Sequence, residues 1–153
     1  MQTLNLPAAP LRIDTANKKP RVFDVIRKKF VVLTPEEWVR QHFIHLLISL
    51  NYPQALIAVE KLVLVNQLRQ RADIVVYNRQ GKPALIVECK APEVPLSNVT
   101  IQQAGRYNTR LGVNHIIITN GLSTYCLFIH PHTHQTKVLT EIPTFETLNA
   151  PPV

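Results

Sequence analysis

Glycine is scarce in this chain, with four residues in 153. The phosphate-cradling string G-x-x-x-x-G-K-S/T is absent, so these residues hold no seat for a nucleotide-driven motor. Cysteine is scarcer still. Cys89 and Cys126 lie far apart without a C-x-x-C spacing, each inside an apolar run where a thiol behaves as a small hydrophobe, and both read as reduced core residues. No apolar run approaches the roughly 18–20 residues of a membrane span. The opening Met1-Gln2-Thr3-Leu4-Asn5-Leu6-Pro7 lacks the charged and apolar regions of a secretory leader, so a cytoplasmic protein with no membrane partner is expected. Carboxylates are few as well. Ten Asp and Glu stand against 17 Lys and Arg, and the net charge of +7 points to an anionic partner. Hydrophobic residues make up 46% of the chain, enough for one domain with a core and too little for two.

The few acids that are present fall in informative places. Asp73 precedes the run Ile74-Val75-Val76-Tyr77, and Glu88-Cys89-Lys90 ends the run Ala84-Leu85-Ile86-Val87. Both runs are apolar and β-branched enough to be strands. An antiparallel hairpin centred on Gln80-Gly81, with Arg79 to Lys82 as its loop, would pair Tyr77 with Ala84, Val75 with Ile86 and Asp73 with Glu88. Opposed residues have Cβ atoms about 4.5–5.5 Å apart. Two carboxylates at that separation repel unless a cation lies between them. Side chains alternate along a strand, so Lys90 joins Glu88 on one face while Cys89 points away. The trio Asp73, Glu88 and Lys90 suits phosphodiester hydrolysis: hard oxygens hold Mg²⁺, with Mn²⁺ as a substitute, and the ion acidifies an attacking water. Lys90 would position that water and stabilise charge on phosphorus. The main-chain carbonyl of Cys89 is a further candidate ligand.

Around the trio the chain divides into an N-terminal arm (1–20), one domain (21–142) and a proline-rich tail (143–153). The arm docks through Leu4, Leu6, Leu11 and Ile13, and residues 21–33 form a hairpin with a basic turn near Arg27-Lys28-Lys29. Thr34, Pro35 and Glu37 make a capping-box start for a helix whose core stripe is Val39, Phe43, Leu46 or Leu47, and Leu50. A strand over 56–65 carries Glu60, a candidate for a further site carboxylate that reads more readily as facing solvent. A second helix near 99–111 closes at Gly112, and strands follow over 115–119, 124–130 and near 137–139. In that helix Ile101, Ala104, Asn108 and Leu111 form one stripe, and Gln103, Arg106, Tyr107 and Arg110 a neighbouring one. Gly105 costs about 1 kcal/mol in a helix interior, a cost offset if the helix approaches the sheet closely. His130, His132 and His134 alternate, yet Pro131 and the polar residues around them argue for a turn at a sheet edge. Spacing alone supports an α/β or α+β fold with a mixed sheet. Arg27, Lys28, Lys29, Arg40, Arg71, Arg106 and Arg110 are the candidates for phosphate contact.

Asp, a hairpin, then Glu-x-Lys resembles the PD-(D/E)xK nuclease signature, and the wider context resembles the N-terminal domain of the type I restriction enzyme R protein. The matching stretches are Leu33 to Gln41, Arg71 to Val75, Ile86 to Pro92, Gln103 to Asn108 and Ile118 to Gly121, with Ala72 standing where the superfamily name expects Pro. The resemblance implies an αβββαβ restriction-endonuclease-like core, a central mixed sheet flanked by helices, with an added N-terminal hairpin and C-terminal strands. It also implies that Gln103, with Gln102 as the alternative, and Tyr107 assist the site and that a Glu of the first helix, best matched by Glu37, completes it; the same residue has a second explanation as the partner of Thr34. The expected function is a Mg²⁺-dependent DNA endonuclease-like domain without its motor. A non-catalytic DNA-binding or recruitment subunit of a restriction or repair complex is the alternative. DNA is the expected partner, and a homodimer and separate motor or specificity subunits are left open.

Overall fold

The computed structural model describes residues 1–65 and 67–151. Short strands β1 (Ile13–Asp14), β2 (Arg21–Asp24) and β3 (Lys29–Val32) form an antiparallel three-stranded sheet. Helix α1 (Pro35–Ser49) starts where Thr34 Oγ1 accepts the Glu37 N–H and Pro35 occupies the first turn, where its missing N–H costs nothing. A six-stranded sheet follows in the order β4 (Ile57–Val65), β5 (Leu68–Tyr77), β6 (Pro83–Cys89), β7 (His115–Thr119), β8 (Thr124–Ile129), β9 (Thr136–Leu139). Every neighbouring pair is antiparallel except β6 and β7, which run parallel because α2 (Asn98–Leu111) connects them. A last helix, α3 (Phe145–Asn149), is capped by Thr144. The fold is thus mixed α/β, a mixed central sheet with helices on both faces.

Alternation along the strands puts apolar side chains on both faces of the sheet. Ile74, Val76, Leu85, Val87 and Ile117 pack under Val39, Phe43 and Leu47 of α1, whereas Ile116, Ile118, Leu127 and Ile129 pack under Ile101 and Ala104 of α2. β7 is covered on both sides, as its unbroken Ile-Ile-Ile requires. Leu50, expected in the stripe of α1, is instead the exposed C-terminal cap. Gly105 does not mark a close approach, since an added Cβ would meet Thr136 Oγ1 at 3.8 Å, an ordinary contact.

Two details of the β5–β6 hairpin differ from expectation. The loop spans five residues, 78–82, because Asn78 Oδ1 accepts the N–H groups of Gln80 and Lys82 and folds the turn on itself. The register, which holds at Val75 with Ile86, shifts between Val76 and Tyr77, so that Tyr77 meets Pro83 rather than Ala84. Near residues 130–135, His130 Nδ1 accepts the N–H groups of His132 and Thr133 and closes the turn expected there. Among the described residues, no helix is long and apolar enough to cross a membrane.

Candidate active site

The site begins at the turn between β2 and β3. Asp24 ends β2, is fully buried, and accepts the N–H groups of Ile26 and Arg27, the Arg27 Nε–H and the Gln41 Nε2–H. Burial alone would raise its carboxyl; the Arg27 and Gln41 hydrogen bonds win and hold it below its ordinary 3.8. Arg27 then donates to Glu37 Oε1 at 2.8 Å and reaches Glu60 at 3.2 Å. Glu37 passes the contact on, accepting Arg40 Nη1 at 2.7 Å and Gln41 Nε2 at 3.1 Å. Arg40 in turn donates through Nη2 to Asp73 Oδ1 at 2.8 Å and Glu36 Oε1 at 3.1 Å. Charges therefore alternate along a line from Asp24 through Arg27, Glu37 and Arg40 to Asp73. Arg40 is buried, its Nε has no partner among the described residues, and the carboxylates around it raise its pKa despite its desolvation.

Asp73 occupies a fork in the sheet. β5 pairs with β4 as far out as Leu68, but its ladder with β6 starts only at Ile74 with Val87. Where the ladder stops, Asp73 Oδ2 accepts the Cys89 N–H at 2.7 Å, a side chain taking the place of a backbone acceptor. Strict alternation also fails here. Ile74 and Val76 face α1, while Ala72 and Val75, three apart, share the cluster of Val63 and Leu111. The cause lies across the ladder: Val59 pairs with Ile74 and Lys61 with Ala72, and between them Glu60 has φ +51°, a left-handed conformation costly for a residue with a Cβ. Glu60 is consequently not a plain solvent-facing strand residue. Its carboxylate, 39% exposed, lies within ion-pair distance of Arg27, Arg40 and Arg71.

Glu88 and Lys90 flank the Cys89 that Asp73 holds. Glu88 is half-buried at its pairing with Ile118 of β7, and the Lys90 N–H donates to Thr119 O at 2.8 Å. Val87 and Cys89 belong to the α1 core, so the pleat leaves Glu88 on the face of Ile86. Glu36 completes the neighbourhood. Its carboxyl is raised from its ordinary value, first by burial and then by the charge of Asp73, while Arg40 and Lys90 oppose the rise. A cleft of about 790 Å³ opens beside Glu36, lined by Arg27, Glu36, Glu37, Arg40, Glu60 and Glu93 among others, and Asp73, Glu88 and Lys90 are not part of its lining. The capping box is half formed: Thr34 caps the Glu37 N–H, but the Glu37 carboxylate turns to two guanidinium groups, stronger donors than a backbone amide.

The other candidates divide between this network and the surface. Arg27 and Arg40 point inward onto carboxylates, Lys28 and Lys29 sit at the β2–β3 turn, with Lys28 at φ +56°, and Arg71 and Arg106 are exposed. Gln103 is exposed on α2, and the side chains of Tyr107 and Arg110 lie outside the described residues. Asp24 drew no notice in the sequence, although an Asp closing a strand before a basic turn is a common turn-former. Among the described residues, no group of three or more His, Cys, Asp and Glu is disposed around one metal position.

Known proteins can be set beside this geometry. Residues 35–143 match the family described as type I restriction enzyme R protein N terminus. The fragment structure of a protein assigned as an HsdR subunit of a type I restriction enzyme from Vibrio vulnificus YJ016 superposes with TM-score 0.52 at 21% identity, over 76% of this chain and 25% of that one. This chain thus spans about a quarter of that relative's length. A DUF820 protein from Anabaena variabilis ATCC 29413, assigned as a nuclease, superposes with TM-score 0.50 at 12% identity over 86% of each chain. No curated protein matches the chain. At these identities the two structures bear on the fold.

Proposed function

The chain belongs to the type I restriction enzyme R protein N-terminal family, and from that premise we propose that it is a metal-dependent DNA endonuclease-like domain. The observation that carries the reading is Asp73 at the sheet fork, tied to the backbone of Cys89 between Glu88 and Lys90. The donor set fits Mg²⁺, which keeps several waters and takes one or two protein carboxylates. Each Asp73 oxygen accepts one hydrogen bond, and a carboxylate has about four acceptor sites. The Glu36 carboxyl is raised first by burial and second by the charge of Asp73 beside it, a charge that a divalent cation would offset. Asp73, Glu88 and the Cys89 carbonyl would hold the ion, with Glu36 at its margin. Bound there, Mg²⁺ or Mn²⁺ polarises a phosphate and lowers the pKa of water.

The chain's own residues do the rest. Lys90 orients the attacking water and places positive charge beside the phosphoryl oxygens. Arg40 fixes the Asp73 carboxylate, and Glu37 and Arg27 fix Arg40. Gln103 and Tyr107 are proposed as assistants on α2. The second reading, a DNA-binding module without turnover, draws on one observation: Arg40 already supplies Asp73 with a cation.

Plasmid nicking with Mg²⁺ or Mn²⁺ tests the proposal. Wild-type protein should nick, and Glu88→Ala and Lys90→Ala should each lose on the order of 100-fold or more, with circular dichroism unchanged and a chelator abolishing the wild-type reaction. Undiminished cleavage by Glu88→Ala would sink the assignment. Absent cleavage with metal and DNA binding intact would favour the non-catalytic module.

A further inference from the structure

Beyond the fork, β4 and β5 continue together without β6. Residues 61–72 pair from Lys61 with Ala72 out to Val65 with Leu68, a two-stranded ribbon of five paired positions, about 17 Å long. Its two faces differ. Val63 is buried against Leu111 and Val113, so one face rests on the body of the domain. The register sets Leu62 opposite Arg71 and Leu64 opposite Arg69, which places all four on the other face. Leu62 and Leu64 are 44% and 61% exposed, and Arg69 and Arg71 are exposed as well. The segment contains Lys61, Arg69 and Arg71 and no Asp or Glu.

This face runs into the site. Arg71 lies 3.7 Å from Glu60, Glu60 lies 3.6 Å from Arg40, and Arg40 holds Asp73. We propose that the Leu62, Leu64, Arg69 and Arg71 face is a DNA-docking surface that guides the sugar-phosphate backbone toward Asp73. The proposal rests on the nuclease reading above and adds the substrate's path to it. Charge decides the occupant, because the pair Arg69 and Arg71, with Glu60 as the carboxylate at one end of the face, complements phosphate and would repel a second copy of itself. The edge of β4 is also poorly suited to pairing with another β4, since φ at Glu60 breaks the strand and Lys61 follows it. Arg69 and Arg71 are two residues apart on one strand, about 7 Å, which matches the axial rise of two nucleotides at about 3.4 Å each on one DNA strand. The leucines lie beside the arginines, one across from each, and supply apolar contact to the sugars.

The test is DNA binding by the full chain in chelator, read by fluorescence anisotropy over a series of salt concentrations. Wild-type affinity should fall steeply with salt. Arg69→Gln with Arg71→Gln should remove two phosphate contacts, lowering the log–log salt slope by about 1.8 and weakening binding by about 10- to 100-fold at 0.15 M salt. Arg69→Lys with Arg71→Lys should keep the slope. Leu62→Ser with Leu64→Ser should weaken binding without changing the slope, and melting curves of each variant check that the ribbon still packs through Val63. An unchanged slope in the Gln pair, with wild type binding DNA, overturns this inference and leaves the nuclease reading standing. No wild-type binding to DNA of any length overturns both. A dimer that the Leu pair converts to monomer in sedimentation, with DNA binding unchanged, assigns the face to a second copy and also overturns the inference.

Discussion

Arg40 bonds or pairs with carboxylates from four positions on three elements, Glu36 and Glu37 of α1, Glu60 of β4 and Asp73 of β5, while almost fully buried. Removing one partner of such a group strands the others. Arg40→Gln should cost about 3–5 kcal/mol, measured by urea unfolding. The same change vacates Asp73 Oδ1, so metal affinity measured by calorimetry should rise, opposite to the effect on stability. Two other carboxyls respond to pH with opposite signs. Asp24 is held below 3.8 when folded, so the unfolded chain takes up its proton first, and stability present at neutral pH is lost as pH falls from about 5. Asp24→Asn should flatten that acid limb. Glu36 is raised from its ordinary 4.5, so its ionised form is disfavoured in the fold and protonation relieves a cost; Glu36→Gln should raise the urea midpoint at pH 7 and change it little near pH 4. The candidate trio was legible because charged residues interrupt apolar strands. Its geometry was not, since alternation assumes regular backbone, and one residue across the ladder, Glu60 with φ +51°, cancels that assumption at Asp73.

Elements were the most legible scale, and the reason is local. Thr34-Pro35 starts α1, Gly112 with φ +74° ends α2, and β-branched runs mark β5 to β8, because each signal acts through neighbours in sequence. The Asn120-Gly121 turn between β7 and β8 was equally plain, but its second task was hidden. Gly121 has φ +83°, and an added Cβ would lie 2.7 Å from Leu4 Cδ2 and 3.2 Å from Val39 Cγ2, while its carbonyl accepts the Asn5 N–H at 2.8 Å. The N-terminal arm therefore docks on a bare backbone. Gly121→Ala should cost about 1–3 kcal/mol from strain and crowding together. In a Leu4→Ala background the cost should be smaller, because the closest crowding is gone while the Val39 contact and the backbone strain remain; thermal melts of the four proteins close the cycle.

At the scale of the whole molecule, the contacts that close the fold join residues far apart in sequence, and no local pattern announces them. The proline-rich segment after residue 142 illustrates this. Thr144 caps α3, Phe145 and Leu148 are buried in the α1-side core, and Phe145 packs edge-on against Tyr52 at 5.8 Å. The Tyr52 hydroxyl, buried with its pKa pushed up, donates to the Pro143 carbonyl, and Arg79 of the β5–β6 loop pairs with Glu146. The end of α1, the hairpin loop behind the fork and the C-terminal segment are thereby tied into one unit. Three prolines and little periodicity conceal a helix of five residues, too short to announce itself by its pattern. Truncation after Ile142 should uncover Tyr52 and remove two buried apolar side chains. At about 1.5–3 kcal/mol each, and about 2–4 °C per kcal/mol for a domain of this size, Tm should fall by about 6–24 °C. Glu146→Gln, which breaks only the exposed ion pair, should shift Tm by about 2 °C or less. A truncated chain that melts with the full one would show that the segment rests on the domain without stabilising it. A fall of the expected size would place the chain's thermal limit where the β5–β6 loop meets the C-terminal segment.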